Sequence, residues 1–573
     1  MFRAVGAKVP RARAVNGTIV PVGIPYKGLN TRAAFNAMDP NEAITMRNVV
    51  VESYGIRTRK GYTEWASGLP TTEPINTILN YYPATVSPGM QSMGPNNQRS
   101  KDLVGTMMVQ PRSGAGPGPG QLFAAQGNDI FNVTNGGPGP WTAEVGIVTT
   151  GGSFWNGVNY QNVAGSFLLI ANENGGYAIY NGTTWSMPSM GTGPGQVSGV
   201  DPAMIIGVST WKERVWFVEK NSTRAWYLPA GQITGVAIPF DFGNQYDHGG
   251  AQVFLGGWTI DGGVGIDDYL VSISSQGDVV IYKGTDPDDA TTFLLHGTWY
   301  SGPLPAGLRG VEAGGGEIYI LTQYGILPLS KLLQPSNLAA QTMQRLSQDI
   351  DPLIAILMRQ YSSLSGWAIL PIAKEELLLV KTPPLQDTAI AESFLAFKTT
   401  TQTWSTFTDL PLAHICNVGP LAYAGTRDGR VVRAFDGPLD NVTIANPQGY
   451  GIHCRVTPAY NPLKAPGINK RIALVRPYFL VSAIPAVQFT ILTNYGGPQP
   501  ISIPSLPTPV GDGDIWDTAL WDVGIWSGSL RSLHTWFGAL GWGHVATVQL
   551  DYVAGGDTLL MGLDYWVNDG GVM

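Results

Sequence analysis

The sequence predicts an all-β protein: a β-propeller of six to eight blades with an additional C-terminal β-sandwich or barrel. Three observations carry this. The first is composition: 573 residues include 73 glycines and 42 prolines, with 10% aromatic and 13% charged residues, the last about half the roughly 25% of ordinary soluble domains. A chain with 17 Trp, 23 Tyr and 18 Phe has ample surface to bury, unlike disordered chains. Its Gly and Pro therefore belong to turns, where Gly supplies positive φ and Pro fixes a corner. The second is a recurring unit of short apolar strand, tight turn and second strand. The third is its spacing of roughly 45 to 60 residues, the range of propeller blades.

Residues 1–50 read as an N-terminal arm and entry segment, and 51–440 as the propeller. INTILNYY (75–82) either adds a strand pair or closes the ring with GIRTRKGYTEW. The hairpins then follow: QLFAAQGNDIFNV from Gln121, SFLLIANENGGYAIYNGTTW from Ser166, RVWFVEKNSTRAWYL from Arg214, DYLVSISSQGDVVIYKG from Asp268, EIYILTQYGILPLSK from Glu317, ELLLVKTP with ESFLAFKTTTQTWSTF, and LAYAGTRDGRVVRAFDG from Leu421. Radially stacked sheets bury both faces against neighbours and leave short edges, which accounts for the low charge. Segments 83–120 and 191–202 read as long exposed loops. One helical insertion is expected at about 335–362, with Leu346 and Ile350, then Leu353 and Leu357, at i,i+4 and Pro352 marking a break or second start. It packs on the propeller or on another subunit.

Residues 441–573 read as a separate β domain of longer antiparallel strands. Within it, Trp516 to Trp536 form a Trp-dense stretch, suited to a core layer or an interface. No apolar run approaches the roughly 18 residues of a membrane span. The N-terminal residues contain no apolar segment of a secretory signal, and two cysteines, Cys416 and Cys454, make no disulfide framework. Synthesis in a cytosol and a soluble product are expected. The formal charge of -7 argues against wrapping nucleic acid through clustered Lys and Arg. DNA passing along a surface remains compatible with it.

Signatures of chemistry are sparse. There is no phosphate-binding P-loop, no H-E-x-x-H, no G-x-S-x-G and no paired C-x-x-C. His414, Cys416, His453 and Cys454 are zinc-ligand types, but the adjacent pair would point to opposite sides of a strand. Asp286, Asp288 and Asp289 suit calcium by charge and an ordinary turn by spacing. Asp267, Asp268, Glu375 and Glu376 are the carboxylates from which an axial glycoside-cleaving pair would be drawn. Nothing else singles them out. Basic residues gather as Lys8, Arg11 and Arg13, as Arg57, Arg59 and Lys60, and as Lys464, Lys470, Arg471 and Arg476, a solvated set or one that docks on an acidic partner or brushes DNA. No catalytic, cofactor-binding or metal residue is assigned, and no cofactor is expected.

The phrase YKGLNTRAAFNAMDPNEAITMRNVVVESYGIRTRKGYTEW (26–65) resembles the opening of tail proteins of short-tailed bacteriophages, with its GLN, P-x-EA and G-x-x-x-R-x-GY elements. WKERVWFVEKNSTRAWYL, GGWTIDGGVGIDDYLVSISSQGDVVIYKGTDP and GILPLSKLL are similar to blades of the podovirus tail nozzle family, the tubular protein B type, related to tail hubs that plug packaged DNA. The resemblance covers most of residues 22–440. It implies a non-enzymatic virion tail protein assembled in the host cytoplasm: a homo-hexameric ring below portal and adaptor proteins, with tail fibres or tailspikes and a needle at its side or tip. Genomic DNA would be retained and then released through its channel without sequence-specific binding. The loops 83–120 or 191–202 are nominated as its gate. A carbohydrate-binding or glycoside-cleaving propeller and a peripheral fibre-attachment protein are the alternatives.

Overall fold

The computed structural model describes residues 17–83, 120–147, 151–260, 267–333, 345–383, 394–463, 467–497 and 530–569. They fall into two compact units, Lys60–Tyr450 and Met1–Arg59 with Gly451–Met573.

Lys60–Tyr450 is a propeller of seven antiparallel blades among the described residues. The innermost strands are Ile75–Tyr81, Trp155–Asn162, Ile205–Trp211, Gln252–Ile260, Val311–Gly314, Ala368–Ile372 and Leu412–Val418, for blades 1 to 7 in that order. Each of the seven hairpins in the sequence supplies part of one blade. INTILNY is the inner strand of blade 1, whereas Tyr62–Ser67 pairs antiparallel with Val431–Ala434 as the outer strand of blade 7. The ring is thus closed by chain from both ends of the unit.

The apolar runs lack a polar phase because both faces of each blade are buried. On the second strand of blade 2, Leu168 and Ile170 pack with Leu79 and Phe123 of blade 1. Their neighbours Leu169 and Ala171 pack with Val215 and Phe217 of blade 3. Period-two side chains make the same switch at Trp216 and Val218, which meet Leu270 and Val280 of blade 4. Val271 and Ile273 then meet Ile318 and Ile320 of blade 5, and Tyr423 and Val431 of blade 7 return to Ile75 and Ile78 of blade 1. Close approach fixes small residues at the joints. A Cβ on Gly425 would lie 2.2 Å from the Ile75 carbonyl oxygen, and one on Gly61 would lie 1.8 Å from that of Leu439.

Among the described residues, the α-helix occupies only the C-terminal part of the expected insertion. It spans Asp351–Tyr361, with Pro352 in its first turn, where a missing N–H does no harm. Leu346 and Ile350 lie before it, and its buried face is Ile354, Leu357 and Met358. Residues 334–344 of the expected insertion lie outside the described residues.

In the second unit, residues 17–59 pair with the C-terminal strands instead of standing apart as an arm. One sheet joins Gly17–Val22 and Gly55–Thr58 to Thr558–Asp569, which pairs with Lys470–Val481. The other has the order Ala43–Arg47, Ile452–Pro458, Ala546–Ala554, Ala486–Thr493. The sheets form a β-sandwich, with Phe479 of the first against Tyr552 of the second at 5.4 Å between ring centroids.

Candidate functional site

Polar groups from different blades of the propeller meet at Arg309. It lies just before the inner strand of blade 5. Its Nε donates to Glu173 at 2.6 Å, Nη1 to the Asn76 carbonyl at 2.8 Å, and Nη2 to Thr77 Oγ1 at 2.8 Å and the Trp155 carbonyl at 3.1 Å. Those partners belong to blades 1 and 2. In a ring of seven, these are the blades opposite blade 5, so the side chain spans the axis. Its guanidinium also stands 5.2 Å from the Phe154 ring centroid.

Around it, side chains tie adjacent inner strands where sheet pairing stops. Asn156 of blade 2 donates to the Ile206 carbonyl and accepts from the Val208 amide of blade 3, at 2.8 and 3.0 Å. Asn159 does the same for Asn80 and Tyr82 of blade 1, at 3.0 and 3.1 Å. Asn417 of blade 7 donates to the Pro371 carbonyl of blade 6 at 2.8 Å. These bonds satisfy backbone groups that have no strand partner on the axial side.

Two buried bases share the region. Lys381 of blade 6 donates to the Ala413 carbonyl of blade 7 at 2.6 Å. Burial, reinforced by the Arg427 and Arg309 charges, brings its ammonium down to about 7. His414 is held well below its usual range by burial and by the Arg309 and Lys381 charges. Its ring is neutral, and Nδ1 accepts the Ile78 amide at 3.2 Å. The proton therefore sits on Nε2.

The residues singled out in the sequence are mostly engaged elsewhere. His414 and Cys416 lie on blade 7, whereas His453 and Cys454 lie on the sandwich strand Ile452–Pro458, one exposed and one buried. Loss of water around Cys416, with Glu312 nearby, pushes its thiol up to about 12. Among the described residues, no three His, Cys, Asp or Glu gather as metal ligands. Asp286 accepts from Arg214 at 2.7 Å and Asp288 from Tyr227, so the expected turn, its carboxylates half exposed, also links blades 4 and 3. Asp289 caps Thr291 in that turn. Asp268 is held by Lys212 and Thr259, both at 2.7 Å, and Glu376 by Thr400 at 2.7 Å and Lys398 at 3.2 Å. Glu375 is buried, and the Asp267 side chain lies outside the described residues. Glu173 is the carboxylate that Arg309 engages.

The basic clusters also differ from a solvated set. Arg59 and Lys470 are buried, donating to Asn48 and to the Ile468 and His544 carbonyls. Arg57 pairs with Glu52 at 3.2 Å and Arg476 with Asp564 at 2.6 Å. Arg471 is exposed. Lys8, Arg11, Arg13 and Lys464 lie outside the described residues, as do loop 84–119 and Trp516. The second nominated gate loop, 191–202, is pinned: Val197 and Val200 are in the core between blades 2 and 3, and Gly193 donates to Gln196 at 2.9 Å.

Sequence reading missed Arg309, Glu173 and the bridging asparagines. Their one sequence signal is the density of amides in the strand WNGVNYQN, which holds both Asn156 and Asn159.

No family model matches the chain, and no curated protein does. Among solved structures, the chain is similar to the computationally designed Ika8 protein, at 10% identity over 55% of this chain and 80% of that one, TM-score 0.30. It is similar to YCF48 from Cyanidioschyzon merolae, at 11% identity over 55% and 91%, TM-score 0.31. The third is BBS1N in complex with ARL6DN, at 12% identity over 68% and 87%, TM-score 0.26. The blade assignment rests on strand pairing alone.

Proposed function

We propose that the chain is a structural subunit of a short-tailed phage tail, six copies forming the nozzle ring that makes the lower DNA channel and retains, then releases, the genome. The observation that carries this reading is the phrase at 26–65. Its distinctive residues do specific structural work, so their combination is a signature of an architecture and not of composition. Gly28 has φ of 82°, and Asn30 accepts the Arg32 and Ala33 amides at 2.8 and 2.9 Å. Asn48, with φ of 57°, donates to the His453 carbonyl at 2.7 Å and accepts from Arg59 at 3.0 Å. Gly61 lets the closing strand approach Leu439.

With Arg309 across each propeller axis, the DNA path of this proposal runs between subunits and not through any one of them. The net charge of -7 suits a conduit to which DNA does not adhere. Portal and adaptor proteins above, and fibres or tailspikes and a needle at the side or tip, are the partners this reading assigns. The virion tail is its location, after assembly in the host cytoplasm. Mass photometry and negative-stain electron microscopy of the purified full chain test it: sixfold rings with a central bore are expected. A monomer at tens of micromolar, together with absence of the chain from the tail axis of the particle, would refute it.

A further inference from the structure

We propose that the outer face of the sandwich sheet containing Lys470–Val481 and Thr558–Asp569 binds neutral hexose oligosaccharides. Arg476 and Asp564 are directly opposite on these two strands. Arg476 Nη2 and Nε donate to Asp564 Oδ2 at 2.6 and 3.2 Å, and the Tyr478 hydroxyl donates to the same oxygen at 2.6 Å. Three donors thus converge on Oδ2. Among the described residues, Oδ1 accepts no hydrogen bond and Arg476 Nη1 donates none, although the Asp564 side chain is only 9% exposed. One acceptor and one donor of an ion pair whose charges already cancel are thus left, among the described residues, without a protein hydrogen bond.

Aromatic planes frame that pair. The guanidinium lies 4.5 Å from the Trp536 ring centroid and 5.0 Å from that of Tyr478. Trp536 meets Trp566 edge to face at 6.3 Å and 90°, and Tyr478 stacks with His534 at 6.5 Å and 16°. A hexose has the complementary chemistry: C–H groups on one ring face to lie on an aromatic plane, and adjacent hydroxyls that donate to one group and accept from its neighbour. Net neutrality favours an uncharged sugar over an acidic one, since an anion would approach Asp564.

The test is retention of the purified full chain on an array of neutral gluco-, galacto- and manno-oligosaccharides beside acidic ones, with W536A, W536F and D564N. Neutral oligosaccharides should be retained by the parent and by W536F, with W536A and D564N reduced tenfold or more. If W536A does not fold, the outcome is decided by D564N, which keeps shape and removes charge. No retention of any neutral oligosaccharide, equal retention by D564N, or retention of acidic glycans alone would overturn the proposal. None of these outcomes depends on whether the chain forms a sixfold ring.

Discussion

Replacing Arg309 by methionine should weaken the propeller more than any single surface ion-pair change. The side chain is 16% exposed and its partner Glu173 15%, so substitution strands a mostly buried carboxylate, the Asn76 and Trp155 carbonyls and Thr77 Oγ1. Breaking such a pair from one side costs about 3–5 kcal/mol. For a unit of about 390 residues, unfolding entropy of ~2.1 cal/mol/K per residue gives ~0.8 kcal/mol/K, so ~4 kcal/mol lowers Tm by ~5 °C. Differential scanning calorimetry of the parent, R309M, E173Q and the double variant measures this. The double variant should recover at least ~1 kcal/mol relative to the summed single effects, because it leaves no uncompensated charge. An R309M transition within ~1 °C of the parent would show that Arg309 is solvated and that the axis is not bridged as described.

Two further changes probe the same ring. Lys381 has its pKa depressed to about 7, so between roughly pH 7 and its unfolded value near 10.4 the unfolded chain binds more protons and stability rises with pH, by at most ~1.4 kcal/mol per unit. Urea unfolding of the parent minus K381M should therefore shift in the parent's favour by ~2 kcal/mol from pH 7 to 9, and a pH-independent difference would sink the assignment. G425A places a methyl 2.2 Å from a carbonyl oxygen at the joint of blades 7 and 1, and overpacking of this kind costs roughly 1–3 kcal/mol or more. Limited proteolysis should cut G425A faster than the parent, whereas equal rates would mean that this joint yields freely.

Much of the ring was readable because a blade is a local object. In QLFAAQGNDIFNV or LAYAGTRDGRVVRAFDG, strand alternation and a turn glycine are adjacent in the chain, and the turn glycines Gly127 and Gly429 do adopt φ of 57° and 78°. The helix was misjudged at Leu346 because apolar residues at i,i+4 say nothing of where a helix starts. Pro352 did mark that start, as a first-turn residue. Charge was the poorest guide: Arg59 and Lys470 looked solvated but are buried, because a cation's fate depends on the carbonyls that folding brings to it.

Sequence alone determined the class: turn glycines, two-sided apolar strands and a near-regular spacing require stacked hairpins, since each blade can bury its faces only against another. It also marked seven of them. Tertiary structure decided what meets at the centre. Arg309 and Asn76 are 233 positions apart, and ring closure, not local propensity, brings them within hydrogen-bonding distance. It likewise decided that Tyr62–Ser67 completes blade 7 and that residues 17–59 pair with the C-terminal strands, because strand pairing depends on which edges are left open once the rest has folded.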